Sequence, residues 1–178
     1  MDDRGAMLLS IAREAIAQGY ELRAQYEWQE QWLREPRASF VTLRLAGDLR
    51  GCIGSVDAHR ALGDDVAHNA HAAAYRDSRF APVPADERER LQVEVSVLSP
   101  RVAFEAASEE EALKGLRPGV DGLCIQFHEF HATFLPQVWE SLPDPLDFLC
   151  ELRRKAHLPV RFWDPAMKLS RYTVEKYR

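Results

Sequence analysis

Residues 39–45, SFVTLRL, put Val41, Leu43 and Leu45 on one side of an extended chain and Thr42 and Arg44 on the other. Ala46-Gly47-Asp48 then turns the chain back into a second extended segment, LRGCIGS. A period of two buries one face only, so this hairpin requires a layer packed against it. The alternation returns at Leu91, Val93, Val95 and Val97, which Ser99-Pro100 stops. GLCIQF and FHATFL, on either side of a polar turn at His128 and Glu129, read as another hairpin.

Helical stripes separate these segments. Met7, Leu8, Ile11, Ala12, Ala15 and Ile16 predict a first helix ending near Gly19. Val66, Ala67, Ala70, Ala73 and Ala74 predict a second over about 64–75, with a small-residue face that can approach a sheet closely. Trp28 and Trp32 are placed to cap the core. Ser108 with Glu111 forms a capping box for a short helix closing at Gly115, and Asp144-Pro145 opens a helix with Leu146, Leu149, Leu152 and Ala156 on one side. KLSRYTVEKY reads as a closing strand or an irregular arm. Helices among hairpins, without a strand-helix-strand rhythm, predict an α+β class of mainly antiparallel strands with flanking helices. Two hairpins, each followed by a helix, suggest an internal duplication, and no linker divides the chain into separate domains.

The 178 residues carry 46% hydrophobic and 29% charged side chains, which excludes disordered and fibrous classes. The first apolar stretch is broken by Arg13 and Glu14, so neither a signal peptide nor a membrane span is expected and the protein reads as cytoplasmic. Three widely spaced cysteines, Cys52, Cys124 and Cys150, fit reduced thiols better than a disulfide framework or a metal cluster. Residues 1–150 carry 15 basic against 25 acidic side chains, and residues 151–178 carry 8 against 3. The acidic body argues against broad nucleic-acid binding, whereas the basic end leaves room for a local anion or partner contact.

In LRGCIGS, strand parity places Arg50, Cys52 and Gly54 on one face, with Leu49 and Ile53 directed to the core. A guanidinium near the sulfur would stabilise the thiolate, and glycines on both sides remove side-chain walls that would keep a ligand off the backbone. The competing explanation is a small buried cysteine in a strand that bends at glycines. Glu94, on the non-core face of its strand, is a candidate base or orienter. His68 and His71 share a helix face at i and i+3; with no third ligand at fitting spacing, an exposed face explains them better than a metal. His128 and His131 bracket a turn and do not share a face. No metal and no cofactor is expected, and the missing nucleophile elbow, phosphate loop, paired catalytic carboxylates and dinucleotide fingerprint exclude the commonest enzyme classes.

LRGCIGS, DAHRALGDDVAHNAHAAAYRDSRF, LQVEVSVLSP, GVDGLCI, ATFLPQVWESLPDPLDFLCELRRKAHLP and RYTVEKY, in this order over Met7–Tyr177, together resemble the AMMECR domain family, known in prokaryotes as protein A of the AmmeMemoRadiSam system. The resemblance implies one α+β domain over 7–177 with a curved or barrel-like antiparallel sheet and a cleft at the Arg-Gly-Cys-Ile-Gly motif. It also implies cytoplasmic partnership with a Memo-like protein and a radical SAM enzyme, and it assigns no reaction. The matching positions are Arg50, Gly51, Cys52, Ile53 and Gly54, then Asp77, Arg79 and Phe80, then Glu94, then Thr133, Phe134, Leu135, Pro136 and Trp139. Ser78 stands where the family usually has proline, and the stretch from His128 to His131 is usually richer in arginine.

Three functions follow as expectations. The first is an enzyme or enzyme subunit with Cys52 as nucleophile or substrate-holding thiol, Arg50 as its activator and Glu94 as base, and with Gly51, Gly54, Asp77, Arg79 and Thr133 contacting a small ligand. The second is a non-catalytic ligand- or protein-binding adaptor using the same surface. The third, an accessory role in RNA modification, rests on the basic end and on the kind of chemistry radical enzymes often perform.

Overall fold

The computed structural model describes residues 3–22 and 26–178. The elements run α1 (Asp3–Ala17), α2 (Gln31–Arg34), β1 (Ser39–Leu45), β2 (Asp48–Gly54), α3 (Leu62–Tyr75), β3 (Gln92–Leu98), β4 (Val102–Ala103), α4 (Glu109–Gly115), β5 (Gly122–Phe127), β6 (Phe130–Phe134), α5 (Pro145–Lys155), β7 (Lys168–Tyr172) and β8 (Val174–Tyr177). The class is mixed α+β, and the strands form two four-stranded sheets, ordered β2-β1-β3-β8 and β4-β7-β5-β6. The chain divides into two compact units, one of residues up to Leu98 together with Glu175–Arg178, the other Ser99–Val174.

In the first unit the inward residues of β1 and β3, Val41, Leu43, Val93 and Val95, pack with Leu8, Ile11 and Ile16 of α1 and Val66, Ala67, Ala70 and Ala73 of α3. Alanines let α3 lie close to the sheet, as its composition predicts. Trp28 and Trp32 border this core, and Trp28 Nε1 donates to Asp64 at 2.9 Å.

The carbonyls at the end of α1, which have no partner within the helix, are met by side chains from outside it. Tyr75 donates to Ile16 O at 2.6 Å and Arg88 to Ala17 O at 3.4 Å, while the His71 ring nitrogen Nε2 lies 3.0 Å from Gly19 O and 3.2 Å from Tyr20 O. Two carbonyl acceptors require the proton on Nε2. His71 is therefore buried, not on the exposed face expected for it, while His68 is exposed. Burial pushes the His71 pKa below its ordinary value, the two carbonyls oppose that shift, and Arg76 adds to it. The unfolded chain thus binds a proton at a pH where the fold resists it, so this contribution is complete above roughly pH 6.5 and is lost as pH falls below it. Thermal melts between pH 5 and 8 should show a smaller acid-side loss in His71→Gln, whose amide can still donate to Gly19 O.

The β1–β2 turn is made by Ala46 (φ 53°) and Gly47 (φ 94°), both left-handed as a two-residue hairpin loop demands. Alanine is a poor choice there because its Cβ crowds the backbone. Ala46→Asn should stabilise by about 0.5–1 kcal/mol, read as a rise in melting temperature; an unchanged or lower value would contradict the turn geometry.

In the second unit, Leu123, Ile125, Leu149, Leu152 and Leu169 form the core, and Trp139 stacks on Phe148 with ring centroids 3.8 Å apart. Asp144 caps α5 by accepting from the backbone N–H groups of Leu146 and Asp147. The Ser108 side chain accepts from Glu111 N as the capping box predicts, while Glu111 reaches back to Ala107 N, not to Ser108. KLSRYTVEKY is two strands, not one: β7 lies inside the second sheet and β8 on the edge of the first.

Candidate functional site

Cys52 lies on β2, an edge strand. Along β1–β2 the partners are Phe40 with Gly54, Val41 with Ile53, Thr42 with Cys52, and Leu43 with Gly51; the register then slips, so that Arg44 faces Leu49. Arg50 is the extra residue of a β-bulge. The expected shared face holds for Cys52 and Gly54 and breaks at Arg50. Leu49 also departs from expectation, since it lies opposite Arg44 and is 38% exposed instead of entering the core. Ile53 does pack against the core.

The bulge turns the Arg50 side chain to other duties. Its Nε pairs with Glu87 at 2.9 Å, Nη1 donates to Ala81 O at 2.8 Å and Nη2 to Pro82 O at 3.5 Å, tying β2 to the segment before β3.

Cys52 as a residue is half-buried. Its sulfur lies 3.4 Å from Thr42 Oγ1 across the strand pair. On β3, Glu94 faces Thr42, so Cys52, Thr42 and Glu94 form one row on the sheet face opposite Val41 and Leu43. Glu94 is two strand spacings, roughly 10 Å, from Cys52, and its carboxylate pairs with Arg178.

The backbone of Cys52 is held from outside the sheet. Cys52 N donates to Asp77 Oδ2 at 2.9 Å, and Arg79 Nη2 donates to Cys52 O at 3.1 Å. Asp77 and Arg79 meet as a fork, with Nε to Oδ1 at 2.9 Å and Nη2 to Oδ2 at 2.7 Å. The turn that makes this possible is local: Asp77 O accepts from Phe80 N at 3.0 Å and Asp77 Oδ1 from Arg79 N at 3.2 Å. Ser78 occupies the second position of that turn, where proline also fits. The Arg79 guanidinium, aided by Cys52 N–H, holds the buried Asp77 carboxyl well below the usual carboxylate range. Arg79 is in turn pushed upward by Asp77 first, with a smaller contribution from the Cys52 thiol.

The glycines of the motif face the protein itself. A Cβ on Gly51 would overlap the Ala73 carbonyl oxygen and stand 3.0 Å from the Ala73 carbonyl carbon; one on Gly54 would fall within the Phe40 ring, 2.7 Å from Cδ2. The room left by the missing side chains is filled by α3 and by Phe40.

Thr133 belongs to the second unit. Its hydroxyl donates to Leu123 O at 3.1 Å, accepts from Cys124 Sγ at 3.1 Å and lies 3.0 Å from the Tyr172 hydroxyl. Burial pushes the Tyr172 hydroxyl up to about 12. Each unit thus carries a cross-strand Cys–Thr pair, Cys52 with Thr42 and Cys124 with Thr133. A shallow cleft of about 550 Å³ lies on α1, lined by Ala6, Leu9, Ser10, Arg13, Glu14 and Ala17, none of them a motif residue. Among the described residues no group of three or more His, Cys, Asp or Glu side chains could hold a metal, and no helix is long and apolar enough to cross a membrane.

Sequence reasoning overlooked Thr42 and the network at Asp65, which is buried and accepts from Ser39, Ser55 and Asn69. Thr42 could have been found as the polar member of a strand facing the motif; Asp65 gave no signal, because acidic residues in a first helical turn are common.

Fold and site together define an α+β protein of two antiparallel sheets with a motif cysteine on a clamped edge strand. The AMMECR1 family model matches residues 9–177. A protein of Methanothermobacter thermautotrophicus is 36% identical over 179 residues, covering 97% of this chain and 93% of its own, and one of Methanopyrus kandleri is 34% identical over 167 residues, covering 90% and 81%. The crystal structure of an uncharacterised protein from Pyrococcus horikoshii superposes with a TM-score of 0.81 at 32% identity, covering 99% of this chain and 91% of that one. The chain belongs to the AMMECR1 family.

Proposed function

We propose that this protein is a cytoplasmic enzyme subunit that works with a Memo-like protein and a radical SAM enzyme, and that the sheet face bearing Cys52 is its working surface. One observation carries this reading: Cys52 is only partly buried while its own backbone N–H and C=O are fixed by Asp77 and Arg79. A cysteine that is not sealed in the core, on a backbone held by two hydrogen bonds, suits a substrate-holding or nucleophilic thiol. The Thr42 hydroxyl beside the sulfur can exchange a hydrogen bond with it as it changes charge.

The adaptor reading has its own support. Arg50 is committed to Glu87 and Glu94 to Arg178, so the activator and base first expected for the thiol are both engaged elsewhere. Cys52→Ser separates the readings, since it keeps the shape and should change the melting temperature little. Under the first reading it abolishes a covalent adduct or turnover in the reconstituted three-protein mixture. Retained partner capture with no Cys52-dependent chemistry would leave the adaptor. Capture of neither partner by the unmodified protein and a Cys52 inert to thiol reagents at pH 7, with a large drop in stability in Cys52→Ser, would make Cys52 a packing residue and overturn both.

A further inference from the structure

An edge strand leaves every second residue with its N–H and C=O pointing away from the sheet. At Cys52 both groups are satisfied, and the groups that satisfy them are ionised side chains from one tripeptide, 77–79. The carboxylate of Asp77, whose side chain is 4% exposed, supplies the acceptor and the guanidinium of Arg79, 55% exposed, supplies the donor. These are the two partners a neighbouring strand would offer. A peptide group would bring no net charge, whereas this pair brings one charge of each sign within hydrogen-bond reach of the residue that carries the thiol.

We infer that Asp77 and Arg79 are positioning residues for Cys52, an ion pair that substitutes for a neighbouring strand on the edge of β2 and sets opposed charges at the backbone of the residue that carries the thiol. This inference rests on the reading of Cys52 as the working group. It gives Asp77 and Arg79 a task other than ligand contact, and it explains why two motifs 25 residues apart, RGCIG and DSRF, belong to one site. The pair fixes the strand by its hydrogen bonds and balances the thiol by its charges. Removing one charge leaves the other uncompensated: a lone guanidinium favours the thiolate and a lone carboxylate disfavours it.

The opposed signs provide the test. Alkylation of Cys52 by iodoacetamide forms an S–C bond, expels iodide and releases the thiol proton to solvent; its rate at pH 7 can be followed on the Cys52 peptide by mass spectrometry, apart from Cys124 and Cys150. Asp77→Asn retains an oxygen for Cys52 N–H and should alkylate at least threefold faster than the unmodified protein. Arg79→Gln should alkylate at least threefold slower, Arg79→Lys should recover most of the difference, and about 1 M salt should shrink all three effects. A merely structural clamp would free the strand in either variant, so faster alkylation in both Asp77→Asn and Arg79→Gln overturns the inference. Equal rates in Arg79→Gln and Arg79→Lys also overturn it, and that comparison stands even if Asp77→Asn does not fold. Loss of function in Cys52→Ser together with a wild-type rate in Arg79→Gln would leave the functional reading standing and remove this one.

Discussion

Gly51→Ala is expected to unfold the first unit or to lower its stability by about 3 kcal/mol or more. The added methyl would overlap the Ala73 carbonyl oxygen. That oxygen is part of the α3 backbone, so no rotamer relieves the contact; α3 must move away from β2 as a body, and Val66, Ala70 and Ala73 lose their packing against the sheet. Gly54→Ala is the internal control. Its methyl meets the near half of the Phe40 ring, a side chain that can rotate where the α3 backbone cannot, so the loss should be smaller. Thermal denaturation of the two variants ranks them. A melting temperature for Gly51→Ala equal to that of the unmodified protein would show that α3 does not lie against β2 as described.

Asp65→Ala should cost about 3–5 kcal/mol, the range for stripping a buried charge network of its centre. Asp65 is fully buried; Oδ2 accepts from Ser39 N at 2.8 Å, Ser39 Oγ at 2.7 Å and Asn69 Nδ2 at 2.9 Å, and Oδ1 accepts from Ser55 Oγ at 2.9 Å and lies 3.3 Å from Arg60 Nε. One carboxylate thus joins the start of β1, the residue after β2 and the first turns of α3. Alanine leaves Ser39 and Asn69 without this acceptor at buried positions, and only Ser55 and Arg60 can turn to water. Asp65→Asn keeps an oxygen for three of the donors and turns an amide towards Ser55 and Arg60, so its loss should be intermediate. Urea titration of the three proteins gives the order, and an Asp65→Ala midpoint at or above that of Asp65→Asn would refute this account of the network.

Much of the architecture was legible because local rules and tertiary packing agree. SFVTLRL is β1 over the same seven residues, the alanine stripe is the sheet-facing side of α3, and Asp144-Pro145 opens α5. Less of the site was legible. Val41, Leu43 and the two-residue turn fix which face of β1 is buried, but the turn alone would pair Thr42 with Gly51 and Val41 with Cys52, sending the thiol into the core. The bulge at Arg50 adds one residue and reverses that outcome. Strand parity reached the right face for Cys52 by treating Leu49 as a core residue, which it is not.

By itself the sequence determined most element types, the α+β class, the family and the block that carries the motif cysteine, since each depends on neighbours a few residues apart or on a pattern read along the chain. Only the tertiary structure decided that Arg79, not Arg50, meets Cys52, that α3 and Phe40 fill the glycine gaps, and that the closing segment serves two sheets. A one-residue slip in register and a hydrogen bond across 25 residues leave no periodic trace, because their energies arise between segments and not within them.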